Sequence, residues 1–252
     1  CFDESWKFEQ EANFWYLTGI DDPDWKLIID NGKSTLVRPD TSEIYDIFNE
    51  HINSDQACKI SGVDDVINQS EYKSWIYNIS KTAVNTIIPQ TQADFEFVLN
   101  PAQSELVKQL KSQFKSVNDI RLVLHKMRAI KQKPEIMMMR RAINLTRSAF
   151  DAVKSELQNY TFEYEARAKF SYEFERAGAD HAYDPIVASG VNAVTLHYNS
   201  NRSGLSKDQL VLIDVGAKYG GYCADITRTY FYKEITDRQK LVHDAVKAAK
   251  DQ

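Results

Sequence analysis

The alternation of apolar and polar positions divides the chain into short apolar runs bounded by turn residues and longer stretches with apolar residues every three or four positions. Residues 13–19, Asn-Phe-Trp-Tyr-Leu-Thr-Gly, read as a buried strand ending at Gly19, and Asp21, Asp22, Pro23 and Asp24 follow as a turn cluster. Residues 25–30 and 33–37 flank Asn31-Gly32, a strong short-range hairpin signal. Pro39 ends the second of these strands, and Thr41 or Ser42 caps a helix reaching about Glu50. A strand at 63–67, a helix at 70–80, a strand at 86–88 and a helix at 103–115 continue the alternation. A further helix at 118–129 reads as a connector between domains. Strands alternating with helices predict an α/β domain with a mixed sheet.

Lys133-Pro134-Glu135 marks a second start, with proline placed for the first helical turn, so residues 1–133 and 134–252 are expected to form separate domains. Ile136, Met139, Ile143, Phe150, Val153 and Leu157 recur with helical spacing and predict one buried stripe. Met137-Met138-Met139 reads as gap-filling core. Thr161 is placed to cap the next helix, with Glu163 and Glu165 in its first turn and Phe162, Ala166, Phe170 and Phe174 on its apolar face. Gly178 suits its end. Residues 185–190 read as a short strand. After Tyr232, Thr236 and Gln239 have the spacing of a capping box for a helix carrying Leu241, Ala245 and Ala248.

Between these helices lies the stretch with most chemistry. Residues 210–215 form a short apolar run interrupted by Asp214, and residues 222–232 are β-branched and aromatic with Asp225 among them. A turn on Tyr219-Gly220 places Asp214 directly opposite Asp225; a turn on Gly220-Gly221 places Asp214 opposite Thr227, with Asp225 a diagonal neighbour. Two neighbouring, partly buried carboxylates need shared protons or a cation, and hard divalent ions with oxygen ligands meet that need. The bland alternative is an Asp facing solvent or bonded to its own turn. His51 and His125 read as exposed helical residues, and Phe14, Trp15 and Tyr16 as core or sheet-face residues, an interface being the alternative.

Composition bounds the partners. At 252 residues, with 43% hydrophobic and 27% charged residues, the sequence is that of an ordinary globular protein with room for two modest domains or one large one. A net charge of −5 offers nothing to attract nucleic acid or an anionic membrane, and no apolar run approaches membrane-spanning length, so neither partner is expected. Cys1, Cys58 and Cys223 are odd in number and far apart. That favours free thiols and a cytoplasmic setting, with Cys223 packing as a small hydrophobe.

Ile213-Asp214-Val215-Gly216, followed by Gly-Tyr-Cys-Ala-Asp-Ile-Thr-Arg-Thr at 221–229, resembles the first metal-binding hairpin of the pita-bread metallopeptidases. More narrowly it resembles the Xaa-Pro aminopeptidases (aminopeptidase P) and prolidases. Lys7 to Ala12 and the run Phe-Trp-Tyr-Leu-Thr-Gly-Ile at 14–20 are similar to the N-terminal domain of those enzymes, which methionine aminopeptidases lack. Ala188-Ser189-Gly190 through Leu196-His197-Tyr198 matches a third segment.

The resemblance implies an α/β (α+β) chain: an N-terminal creatinase/aminopeptidase P-type mixed domain followed by the first half of a pita-bread catalytic domain. It implies a metalloaminopeptidase that removes the N-terminal residue from peptides with proline second, using two divalent metal ions, commonly manganese, to activate water. Asp214 would bind one ion and Asp225 both, while His197 would contact the substrate. His181 and His243 carry no matched role, and no acid–base residue is assigned. The family completes its ligand set with a His and two Glu from a second repeat, which no residue here matches. The sequence therefore reads as the front part of a longer enzyme, its beginning before Cys1 also missing, and inactive alone. A homodimer is implied. A prolidase acting on Xaa-Pro dipeptides, a creatinase-like hydrolase lacking metal and a non-catalytic binding or dimerisation protein remain as alternatives.

Overall fold

The structure, a computed structural model, describes residues 8–83, 85–88 and 101–251; Cys1 and Lys7 lie outside them. The chain divides into two compact units, Cys1–Ile130 and Lys131–Gln252.

The first unit runs α1 (Ala12–Thr18), β1 (Lys26–Asp30), β2 (Lys33–Val37), α2 (Glu43–Phe48), α3 (Ser54–Ser61), β3 (Asp65–Ile67), α4 (Gln69–Ile79), β4 (Asn85–Ile88), α5 (Pro101–Gln113), β5 (Ser116–Asp119) and α6 (Arg121–Ala129). β1 and β2 form the hairpin that Asn31-Gly32 predicts, with Asp30 opposite Lys33. β3 joins β2 in parallel, giving a mixed sheet. Adjacent residues of β2 serve opposite faces. Val37 packs with Tyr72, Ile76, Leu110 and Phe114, while Leu36 packs with Ile20, Trp25 and Ala57.

Several expectations need correction here. Residues 12–18 form a helix, not a strand. The Glu11 carboxylate accepts the N–H groups of Asn13 at 2.9 Å and Phe14 at 2.8 Å, and Gly19 N–H closes onto the Trp15 carbonyl. A short aromatic run fits either period, and these caps decide it. Phe14, Trp15 and Tyr16 are consequently half-buried. The reciprocal Asn53–Gln56 capping box opens α3, which the apolar pattern does not announce. His51 lies in the loop before it. Residues 116–119 pair in parallel with β4, so α6 starts only at Arg121.

The second unit contains α7 (Lys133–Glu156), α8 (Glu163–Glu175), β6 (Asp180–His181), β7 (Ile186–Ser189), β8 (Leu210–Val215), β9 (Ala217–Tyr219), β10 (Tyr222–Cys223), β11 (Ile226–Phe231) and α9 (Asp237–Asp251). Two three-stranded antiparallel sheets result, β11-β8-β7 and β10-β9-β6, and the chain passes from one to the other at Gly216. Val211, Ile213 and Val215 on one face of β8 meet Phe150 and Val153 of α7 and Ala166, Phe170 and Phe174 of α8. Each large apolar side chain so buried contributes roughly 1.5–3 kcal/mol.

The buried stripe of α7 differs from the expected one. Ile136 and Ile143 are exposed, and Ala142, Thr146 and Ala149 take the buried positions ahead of Phe150 and Val153. Small residues let the helix approach the β9–β10 hairpin, where Thr146 Oγ1 accepts the Ala217 N–H at 2.9 Å. Met138 abuts the hairpin turn at Gly220, while Met137 is exposed. Phe162, not Thr161, is the cap of α8 and is exposed, because Glu165 takes the N–H groups of both. Cys223 is exposed, since β10 is a sheet edge, and does not pack as a small hydrophobe, while Cys58 is a free thiol. The Thr236–Gln239 capping box forms, but Leu241 is exposed. Among the described residues, no helix is long and apolar enough to cross a membrane.

Candidate metal centre

The hairpin turns on Gly220 and Gly221, whose φ angles of +54° and +76° have the sign a two-residue type I′ turn requires. A turn on Tyr219-Gly220 would force an aromatic residue to positive φ, an unfavourable backbone. The register follows: Tyr222 pairs with Tyr219, and Thr227, not Asp225, stands opposite Asp214. Asp225 lies between β10 and β11, across from Gly216. Asp214 and Thr227, directly paired, share one face, and Asp225 joins Asp214 on that side, since one hydroxyl reaches both carboxylates. The two carboxylates are diagonal neighbours across a corner that carries no side chain.

Tyr183 fills that corner. Ala182 N–H donates to the Gly216 carbonyl at 2.8 Å, which carries the chain from β6 over the hairpin. The Tyr183 hydroxyl then lies 2.6 Å from Asp214 Oδ1 and 3.0 Å from Asp225 Oδ1 and donates its single proton between them. Burial, then the bonds and charges of the two carboxylates, push the Tyr183 phenol upward, so it stays protonated as a donor. Asp214 is half-buried beside Ile186 of β7 on the same face, and Asp225 is exposed.

The carboxylates thus converge on the Tyr183 hydroxyl from diagonal positions roughly 7–8 Å apart, and the shared phenol proton offsets part of their repulsion. Two hard oxygen donors aimed at one point suit a divalent cation, although such ions take about six ligands. Among the described residues, no group of three or more His, Cys, Asp or Glu side chains is placed to hold a metal. His197 is exposed in the segment after the 3-10 turn Gly190–Val194 and, among the described residues, makes no hydrogen bond to either carboxylate. His181 Nε2 pairs with Ser171 Oγ at 2.8 Å beside Phe174, and burial lowers its pKa; its place is structural. His243 packs on Phe231. Tyr183 carried no signal in the sequence: it precedes a proline-led strand with no periodicity of its own. Gly216 stood inside the quoted motif, but its role as the empty corner needs the register.

Comparison with known proteins bears on this arrangement. Residues 137–252 match the model of metallopeptidase family M24, and residues 1–88 that of the aminopeptidase P N-terminal domain. The Xaa-Pro aminopeptidase of Escherichia coli K12 is 30% identical over 260 residues, covering 97% of this chain and 58% of that protein. The Xaa-Pro aminopeptidase of Haemophilus influenzae is 28% identical, covering 90% of this chain and 53% of that protein. The chain therefore spans about half the length of the curated relatives it matches. Among solved structures, E. coli aminopeptidase P with the inhibitor Pro-Leu superposes with a TM-score of 0.83 at 27% identity, over 97% of this chain and 58% of that one. Proline aminopeptidase P II from Yersinia pestis gives 0.80 at 28%, over 100% and 60%. The two-part α/β architecture, the hairpin and both family matches agree: this chain belongs to the aminopeptidase P family, with the N-terminal domain of those enzymes joined to pita-bread-fold sequence of metallopeptidase family M24.

Proposed function

We propose that this chain supplies the N-terminal domain and the first metal-binding hairpin of a Xaa-Pro aminopeptidase, which releases the N-terminal residue from peptides with proline in second position. The observation that carries this reading is the convergence of Asp214 and Asp225 on the Tyr183 hydroxyl from one face of the hairpin. Those oxygens fit a divalent ion, with manganese the proposed metal. When bound, a pair of such ions supplies Lewis-acid polarisation of the scissile carbonyl and acidifies water to give a nucleophile near neutral pH.

The chain's own residues prepare that chemistry. Asp214 and Asp225 bring two negative charges to one point, and the missing side chain at Gly216 leaves room for the Tyr183 ring that reaches both of them. Tyr183 fixes the rotation of both carboxylates through one shared proton. His197 is proposed to donate a hydrogen bond to the substrate carbonyl as negative charge develops on its oxygen. The remaining ligands are proposed to come from a part of the full-length protein beyond this hairpin, so the chain alone is proposed to be inactive. A homodimer is proposed for the full-length protein.

The test is hydrolysis by the full-length protein, supplied with manganese, of a tripeptide with proline second, a tripeptide with alanine second and an Xaa-Pro dipeptide. Cleavage of the first, with little of the other two, supports the proposal. Preference for the dipeptide would make the protein a prolidase, and turnover of none would leave the fold as a binding scaffold.

A further inference from the structure

The segment between β7 and β8 exposes His197, yet it is tied down on both sides of that residue. Most ties end on one carboxylate. Glu163, the first residue of α8, is fully buried. Its Oε1 accepts the Ser189 N–H at 2.8 Å, the Ser189 hydroxyl at 2.7 Å and Asn192 Nδ2 at 3.1 Å. Its Oε2 accepts the Tyr198 hydroxyl at 2.8 Å and the Ser203 N–H at 2.9 Å. The Glu163 N–H donates to the Ser203 carbonyl at 3.0 Å. Asn192 Nδ2 also reaches Tyr198 Oη at 3.1 Å and Ser203 Oγ at 2.9 Å, closing the network.

All five donors to the Glu163 carboxylate, three side-chain groups and two backbone N–H groups, are neutral and lie between residues 189 and 203. Burial alone would push the Glu163 carboxyl up; the bonds from Ser189, Asn192 and Ser203 outweigh it and hold it below the usual carboxylate range. An ionised group so placed also faces the favourable end of the α8 dipole. A second anchor is buried Asn201, which accepts the Val187 N–H at 2.7 Å and donates to the Pro185 carbonyl at 2.8 Å. Pro185 and Val187 flank Ile186, the strand partner of Asp214. His197 is therefore bracketed by the ties at Asn192 and Tyr198, and Asn201 fastens the same segment to the strand that adjoins Asp214.

A buried carboxylate with five donors is an expensive way to stabilise a surface segment, because apolar packing would do so without desolvating a charge. What it provides is a single geometry. We infer that Glu163 is a positioning residue: it holds the 189–203 segment in one conformation so that His197 is presented to substrate in a fixed orientation. This rests on the substrate-contacting role proposed for His197.

The test uses the full-length protein as wild type, Glu163→Gln, Tyr198→Phe and His197→Ala, with Glu163→Gln also placed in the His197→Ala background. Glu163→Gln keeps the shape but turns one acceptor into a donor facing other donors. Amides 190–203 should exchange with deuterium about tenfold or more faster in this variant, while those of α7 keep their protection. Its kcat/KM for an Xaa-Pro tripeptide should fall about 10–100-fold, mainly in kcat, as when supporting partners of functional groups are removed. In the His197→Ala background the same substitution should cost less than about threefold, since a residue acting through another is not additive with it. Should Glu163→Gln not fold, Tyr198→Phe, which removes one tie and leaves four, carries the same comparisons. Unchanged exchange over 190–203 in the folded variants, or an equal loss with and without His197, would overturn the positioning role. A folded wild-type protein that cleaves no Xaa-Pro peptide would instead overturn the proposed function, and the exchange measurement would still decide whether Glu163 anchors the segment.

Discussion

The ring of Tyr183 lies over Gly216: a β-carbon built on Gly216 would stand 3.2 Å from Tyr183 Cε1 and would run into the Ala224 carbonyl. The absence of a side chain at 216 is what lets the phenol cross the hairpin and reach Asp214 and Asp225 together. Gly216→Ala should therefore do two things at once. Because the clash with the Ala224 carbonyl can be relieved only by moving backbone, the hairpin should lose about 3 kcal/mol or more, read as a lower denaturation midpoint at unchanged m-value. Divalent-ion affinity should fall as well, because Tyr183 can no longer orient both carboxylates. An alanine variant with wild-type stability would show that the hairpin opens freely at this point.

Much of this arrangement was legible in the chain, and the illegible part has definite causes. The hairpin at Asn31-Gly32 and the Asp214–Asp225 hairpin are visible because turn residues with positive φ punctuate apolar runs. The register of the second hairpin was not settled, since Tyr219-Gly220 and Gly220-Gly221 both offer a turn and only the backbone sign at Tyr219 separates them. Residues 12–18 look like a strand in sequence because an aromatic run of one to two turns has no distinguishing period; the deciding group is the Glu11 carboxylate outside the run. The α7 stripe is hidden for the opposite reason: large residues mark a face in sequence, whereas close packing against β9 selects Ala142, Thr146 and Ala149. Tyr183 and Glu163 come to their sites through tertiary contacts 26 to 42 residues away in sequence, and no local pattern encodes those.

Thr146 joins α7 to the hairpin by donating to the Ala142 carbonyl at 2.9 Å and accepting the Ala217 N–H. Thr146→Val keeps the shape and leaves the buried Ala217 N–H without its partner. That should cost about 1–3 kcal/mol of stability in chemical denaturation. A loss within experimental error would mean that another acceptor or water replaces the hydroxyl.

The Glu163 network makes an acid prediction whose sign is fixed. A carboxylate held below its unfolded pKa of about 4.3 contributes stability fully above that pH and loses it as pH falls through the lower folded value. Exchange protection of amides 190–203 should accordingly hold on acidification to about pH 4.3 and decline below it. Glu163→Gln, which has no proton to gain, should show no such step. A step of equal size in Glu163→Gln would assign the acid loss to other carboxylates.

Whether Asp214 and Asp225 are metal ligands is decided by manganese binding, measured by calorimetry on the full-length protein. Wild type should bind two ions per chain, and Asp225→Asn, which removes a charge proposed to serve both, should weaken binding by about 10-fold or more and abolish Xaa-Pro cleavage. The 252-residue chain, with two carboxylates toward about six coordination positions, should bind weakly and cleave nothing. Manganese binding by Asp214→Asn and Asp225→Asn that matches wild type in affinity and stoichiometry would show that neither carboxylate is a ligand.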